Sequence, residues 1–200
     1  MEQFNQTLFL WLNAGADPSP VLLYGALFFA KWLVYILPLL LLSMWLWGLS
    51  YHRELAVRAV LAILLGLMVS LCLRWLWPHP RPFVIGLGHT HLVHAPDASF
   101  PSNHAVFCFS MALSLWWNVV RKRVGWVLLG LSLLVCWSRV YLGVHFPLDM
   151  VGGLGVAAGS VWGVHRLLHT NRLGDRLVVQ LENRYRRIMA KPIAQGWVAE

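Results

Sequence analysis

Charge is what this chain has least of. Only 12% of its 200 residues are Asp, Glu, Lys or Arg, against about a quarter in an ordinary soluble domain. A chain so poor in charge cannot cover its own surface in water, which excludes a soluble globular fold. Cysteine is scarce too. Cys72, Cys108 and Cys136 all fall within apolar runs, an odd number without short spacing, which leaves neither a disulfide framework nor a zinc site. They read as small core residues. The N-terminus lacks the positive flank and small-residue cleavage site of a secretory signal, so insertion is expected to rely on the first true span.

What the chain has in excess is apolar length: 58% of it is hydrophobic and twelve residues are tryptophan. The expected fold is all-α, a polytopic membrane helix bundle in one domain. Residues 1–16 place Phe4, Leu8 and Trp11 or Leu12 on one helical face. The stretch is too short to span and predicts an N-terminal helix lying in the interface. About five transmembrane helices follow, over 21–48, 57–77, 101–120, 124–142 and 148–168. The first exceeds the roughly 20 residues a span needs, which predicts tilt or a bend at Pro38. "YHRELAVR" reads as a short charged turn. Gly155, Gly159 and Gly163, four apart, form a small-residue stripe suited to close helix packing. Residues 1–169 make up the membrane domain, and 170–200 a basic tail, partly amphipathic.

The formal net charge of +8 is placed for a membrane rather than for nucleic acid. Arg121, Lys122 and Arg123 form one cluster, and seven more basic residues run from Arg166 to Lys191. With His52, Arg53 and Arg58, these groups flank apolar runs at alternate ends, which the positive-inside rule assigns to the cytoplasm. The N-terminus, the 78–100 loop and the "GVHFP" turn then face outward. The expected location is a bacterial plasma (inner) membrane, with the site toward the periplasm or exterior.

Without those clusters, few ionisable groups remain near the spans. Arg74 and Arg81 sit where the second span emerges, His104 opens the third, Arg139 ends the fourth, and His145 and Asp149 begin the fifth. A charge at mid-bilayer costs at least about 2.5–3.5 kcal/mol, so such groups are functional candidates. Here all six converge on one side from separate stretches. The three guanidiniums match phosphate oxygens, and "FPSNH" adds Ser102 and the backbone N–H groups of a helix start. His145 and Asp149, at i and i+4, allow a carboxylate to hold one imidazole nitrogen while the other keeps its lone pair for attack on phosphorus. His104 is placed to protonate the leaving oxygen. With arginines neutralising the developing charge, no metal is required. Neutral His145 beside protonated His104 predicts a two-limbed pH profile.

"RWLWPHPRP", "PSNH" and "SRVYLGVHFPLD" fit Lys/Arg-x6-Arg-Pro, Pro-Ser-Gly-His and Ser-Arg-x5-His-x3-Asp. Together they resemble the tripartite signature of the type 2 phosphatidic acid phosphatase superfamily, in family order. The resemblance implies a bundle of six or nearly six helices and hydrolysis through a phosphohistidine, with neither metal nor cofactor. It implies His145 as nucleophile, Asp149 as its orienting partner and His104 as acid, with Arg74, Arg81, Ser102, Asn103 and Arg139 binding phosphate. Arg74 stands where lysine is commoner and Asn103 where glycine is. Within the superfamily, "PHPRPF" and "WSRVYLGVHFPLDM" are similar to bacterial undecaprenyl-diphosphate phosphatases of the bacitracin-resistance type. That implies a polyprenyl diphosphate lipid as partner and recycling of the carrier for cell-wall synthesis. Phosphatidylglycerol phosphate, phosphatidic acid and lipid A are alternative substrates. A transporter is disfavoured because the charges gather at one surface rather than at the midplane.

Two features stay open. Lys31, inside the first span, either contacts substrate phosphate, pairs with a buried group, or reaches the interface along its stem. His89, His91 and His94, with Asp97, invite a metal reading, but a loop without further ligands favours ordinary polar residues. Nothing in the sequence fixes an oligomeric state.

Overall fold

Residues 1–118, 122–171 and 173–199, with side chains outside 169–175, are described by a computed structural model; among them no strand occurs. The end of the third expected span at 119–120, together with Arg121 and Arg172, lies outside the described residues. The helices are α1 (Glu2–Leu12), α2 (Pro20–Lys31), α3 (Leu33–Trp47), α4 (Ser50–Leu76), α5 (Asn103–Trp116), α6 (Lys122–Tyr141), α7 (Pro147–Asn171), α8 (Leu173–Ile188) and α9 (Ala190–Ala194). The long loop before α5 carries one short 3-10 turn, Pro82–Ile85.

Among the described residues, three runs are long and apolar enough to cross a membrane: Pro20–Trp47, Ser50–Leu76 and Lys122–Tyr141. The other two expected spans are helices of a different character. α5 has 14 residues, a rise of about 21 Å against a hydrocarbon core of about 30 Å. It is the hub of the bundle, packed against α4, α6 and α7, with Val106, Met111 and Ala112 wholly buried. Helices rather than lipid cover it. α7 is 25 residues long, but its glycines dilute its apolarity.

Gly66 lies where three helices meet. A Cβ there would meet Val106 Cγ1 at 2.8 Å and the Ser110 and Ser160 hydroxyls at 3.3 Å. Only a glycine lets α4, α5 and α7 approach this closely. Three buried serines satisfy themselves locally: Ser114, Ser132 and Ser160 donate to carbonyls one turn back at 2.7–2.8 Å.

Four local expectations change. The first apolar run breaks at Trp32, while Pro38 lies inside α3. Trp32 N donates to Phe28 O at 2.9 Å and Tyr35 N to Trp32 O at 3.1 Å; the second, i to i+3, tightens the chain and restarts it. Lys31 therefore ends a helix, where the terminal carbonyls favour a cation. The "YHRELAVR" stretch is not a turn but the first part of α4. An Arg58–Glu54 ion pair at 2.6 Å and a Leu49 N–H donating to His52 Nδ1 at 3.0 Å support it.

The glycine stripe is not a packing face. Ideal Cβ atoms at Gly155 and Gly159 would meet nothing within 4 Å, and at Gly163 only Leu65 Cδ2 at 3.9 Å. Gly152 and Gly153, outside the four-residue register, make the close contacts instead, against the Phe100 ring and Ala105 Cβ. In α1, Phe4 and Trp11 are exposed as an interfacial face requires, but the adjacent face docks inward. Phe9 is fully buried, edge-on to Phe146 with ring centroids 5.4 Å apart.

At the far end of α4 the tail is knitted to the bundle. α8 packs on α4 and α7, Trp47 Nε1 donates to Trp197 O at 2.8 Å, and Ala199 N donates to Leu46 O at 2.8 Å.

Candidate active site

The site is built around the turn joining α6 to α7. Gly143 takes φ +80°, and a Cβ there would lie 2.1 Å from His89 O, so a side chain is excluded both by backbone angle and by space. The turn returns His145 into the core, and Pro147 starts α7 with Asp149 in its first turn. One oxygen of Asp149, Oδ2, receives the Phe146 N–H at 2.8 Å, the Ser99 hydroxyl, and His145 Nδ1 at 3.1 Å. His145 and Asp149 are 2% and 1% exposed.

This network fixes the tautomer. A carboxylate only accepts, so His145 Nδ1 carries the proton and Nε2 keeps its lone pair. Arg81 Nη1 donates toward that lone pair at 2.9 Å and also to Val144 O at 2.8 Å. Burial pushes the imidazole down to about 4, with Asp149 pulling the other way and Arg81 and Arg139 adding to the depression. His145 is therefore neutral at pH 7, the state a nucleophile needs.

Arg74, in the last turn of α4, and Arg81, in the loop beyond, meet on one carboxylate. Arg81 Nε donates to Asp97 Oδ1 at 2.9 Å, and Arg74 Nη2 pairs with Asp97 Oδ2. Burial would raise Asp97, but the charges of Arg81 and Arg74 outweigh it and hold this acid below the usual carboxylate range. A phosphate that reaches these guanidiniums must compete with Asp97.

His104 and Arg139 line a cavity of about 490 Å³, together with Lys31, Trp32, Tyr35 and His94. Arg139 is 3% exposed, and its Nε and Nη2 are buried without a hydrogen-bond partner. Buried unpaired donors on a cation are costly, and they point to an anion as their partner. His94 reaches over from the loop, its ring centroid 6.2 Å from that of His145. Ser102 is fully buried. Its hydroxyl caps α5 by accepting from Ala105 N at 3.5 Å, and its N–H donates to Asp149 O at 3.1 Å. Asn103 Oδ1 accepts the Ser70 hydroxyl at 2.6 Å. The Ser102 backbone and the Asn103 side chain thus tie the start of α5 to its neighbours.

All the residues singled out from sequence lie in this one region, Lys31 included. Three partners escaped sequence reasoning: Asp97 as counter-charge, Ser99 on the carboxylate, and the Val144 carbonyl. Asp97 left a signal, because it is the single acid in the 78–100 loop, on the side where the arginines gather. Ser99 left none. The loop histidines diverge: His91 Nε2 contacts Gly15 O at 2.9 Å and His94 Nδ1 contacts Ala95 O at 3.0 Å. His79 packs its ring against Phe146 and Trp77, with centroids 5.6 and 5.9 Å away.

A helical bundle carrying a buried His–Asp pair faced by arginines is a phosphoryl-transfer architecture. The chain belongs to the PAP2 superfamily, whose model matches residues 55–173. It is 41% identical, over the full length of both chains, to YbjG of Escherichia coli (strain K12), a provisional undecaprenyl-diphosphatase. It is 30% identical to the undecaprenyl-diphosphatase BcrC of Bacillus subtilis (strain 168), covering 76% of this chain and 78% of that one. Among solved structures, Aquifex aeolicus LpxE superposes with a TM-score of 0.69 at 26% identity, covering 82% of this chain and 95% of LpxE.

Proposed function

We propose that the protein removes the terminal phosphate of undecaprenyl diphosphate, giving undecaprenyl phosphate and inorganic phosphate. The observation that carries this reading is His145 held by Asp149 through Nδ1 at 3.1 Å, with Nε2 turned toward Arg81 at 2.9 Å. The names of the relatives at 41% and 30% identity support the choice of lipid.

The chemistry proceeds in two displacements. Nε2 gives up its contact with Arg81 and attacks the terminal phosphorus. The N–P bond forms as the bond to the bridging oxygen breaks, and His104 delivers a proton to that oxygen. Burial and the Arg139 charge keep His104 neutral in the free protein; it takes up that proton once the anionic substrate offsets the surrounding cations. Asp149 stabilises the charge left on the imidazole through Nδ1–H. Arg74, Arg81 and Arg139 hold the equatorial oxygens, where negative charge gathers. Water then gives a proton to His104 as it attacks phosphorus, the N–P bond breaks, and inorganic phosphate leaves the regenerated imidazole. Ser102 and Asn103 serve by presenting the first backbone N–H groups of α5.

We also propose that the site faces outward and the tail inward. Arg74 and Arg53 lie at opposite ends of α4, whose 27 residues span about 40 Å. The tail docks at the Arg53 end.

Turnover of purified protein on undecaprenyl diphosphate, phosphatidylglycerol phosphate, phosphatidic acid and lipid A in one detergent tests the substrate. A kcat/KM highest for undecaprenyl diphosphate is expected. A higher value for a monophosphate lipid would reassign the protein within its superfamily.

A further inference from the structure

We infer that Lys31 forms a second phosphate subsite, which takes the ester-side phosphate of the diphosphate and makes the enzyme selective for diphosphate lipids. The inference rests on the proposed reaction and specifies how its leaving group is held.

Lys31 ends α2 at the break before α3, and Trp32 and Tyr35 beside it are 62% and 67% exposed. The cavity it lines, about 490 Å³, runs to His104 and Arg139 on the other wall. Among the described residues its ammonium has no carboxylate within ion-pair distance. A lysine in an apolar run is costly to insert. Here Lys31, an exposed residue, lines one chamber with Arg139, whose Nε and Nη2 are buried without partners.

The reaction explains why a cation belongs there. Breaking the bond to the bridging oxygen leaves a lipid monophosphate, so negative charge gathers on the ester-side phosphate as well as on the one transferred. A monophosphate lipid releases only an alcohol and has no such need. His104, donor to the bridging oxygen in the proposed reaction, lines the same chamber as Lys31, which would put a cation on the leaving side. Arg139 then bridges the two phosphates. Trp32 and Tyr35 provide an apolar exit for the chain toward lipid.

The experiment compares Lys31→Met with wild type on farnesyl diphosphate and farnesyl monophosphate, two lipids alike except for one phosphate. The kcat/KM ratio of diphosphate to monophosphate is expected to fall about tenfold or more, the loss of one charge-assisted hydrogen bond, and Lys31→Arg is expected to restore most of it. A second measurement needs no turnover: in the His145→Gln background, Lys31→Met should weaken binding of farnesyl diphosphate relative to farnesyl monophosphate by a similar factor. Both ratios unchanged, or arginine failing where methionine fails, would overturn the subsite. Wild type releasing no phosphate from the diphosphate would instead defeat the proposed function, and the binding ratio would still judge the subsite.

Discussion

The protein buries Arg53 at one end of its bundle and Arg81 and Arg139 at the other, and Arg53 and Arg139 are satisfied to different degrees. Arg53, at the tail end of α4, is wholly covered, and only its Nη1 lacks a hydrogen bond. It donates to Trp45 O at 3.0 Å and Ala199 O at 2.9 Å, lies 4.5 Å over the Tyr185 ring, and has Glu182 at 3.8 Å. Arg139, at the site end of α6, is as deeply placed but leaves Nε and Nη2 without partners. A guanidinium surrounded by fixed acceptors fastens one segment to another; one with unspent donors is arranged for an anion that comes and goes. Burial alone does not separate Arg53 from Arg139, but hydrogen-bond accounting does.

The contrast breaks most sharply at His145. His145→Ala should cost at least about 10⁴-fold in kcat, as removal of a nucleophile does elsewhere, read as inorganic phosphate released per enzyme. Next in size is Asp149→Asn. It keeps the shape but loses the charge that favours the imidazolium and the acceptor that sets the tautomer, and should lower kcat about 10²–10⁴-fold. The pH profile supplies the sign. Burial depresses the His145 pKa to about 4, so the neutral nucleophile persists down to that pH. The acid limb of kcat/KM should fall near pH 4 rather than at the ordinary imidazole value near 6.5. Because Asp149 raises this pKa, its replacement by Asn should move the limb lower still.

At the other end, Arg53→Gln should leave kcat/KM unchanged while lowering stability by about 2–4 kcal/mol, since hydrogen bonds to a buried charged group are lost. Thermal unfolding in detergent would show it as a lower midpoint; a loss of activity without loss of stability would erase the distinction between the two arginines. The smallest effect is expected at Asp97. Asp97→Asn frees Arg74 and Arg81 from a partly exposed carboxylate, an ion pair of about 1 kcal/mol at most, so inorganic phosphate should inhibit up to about fivefold more strongly.

What the sequence made legible was the chemistry, because ionisable residues stand out in an apolar chain and their spacing matched a known signature. Its blind spots share one cause, contacts between segments remote in sequence. The network on Asp149 draws on Ser99, a loop serine like any other. The role of Arg53 depends on the chain's last residues folding back to it. The glycine stripe was read from periodicity alone, whereas contact with Phe100 and Ala105 selects Gly152 and Gly153. The break at Trp32 escaped notice because proline is the obvious interrupter, yet Pro38 sits inside α3.

The most direct test is to trap the covalent intermediate. Protein mixed with undecaprenyl diphosphate labelled in its terminal phosphate, quenched in alkali within one turnover and digested, should yield label on the peptide containing His145, stable to base and lost in acid. Label on another residue, or full turnover by His145→Ala, would contradict the mechanism.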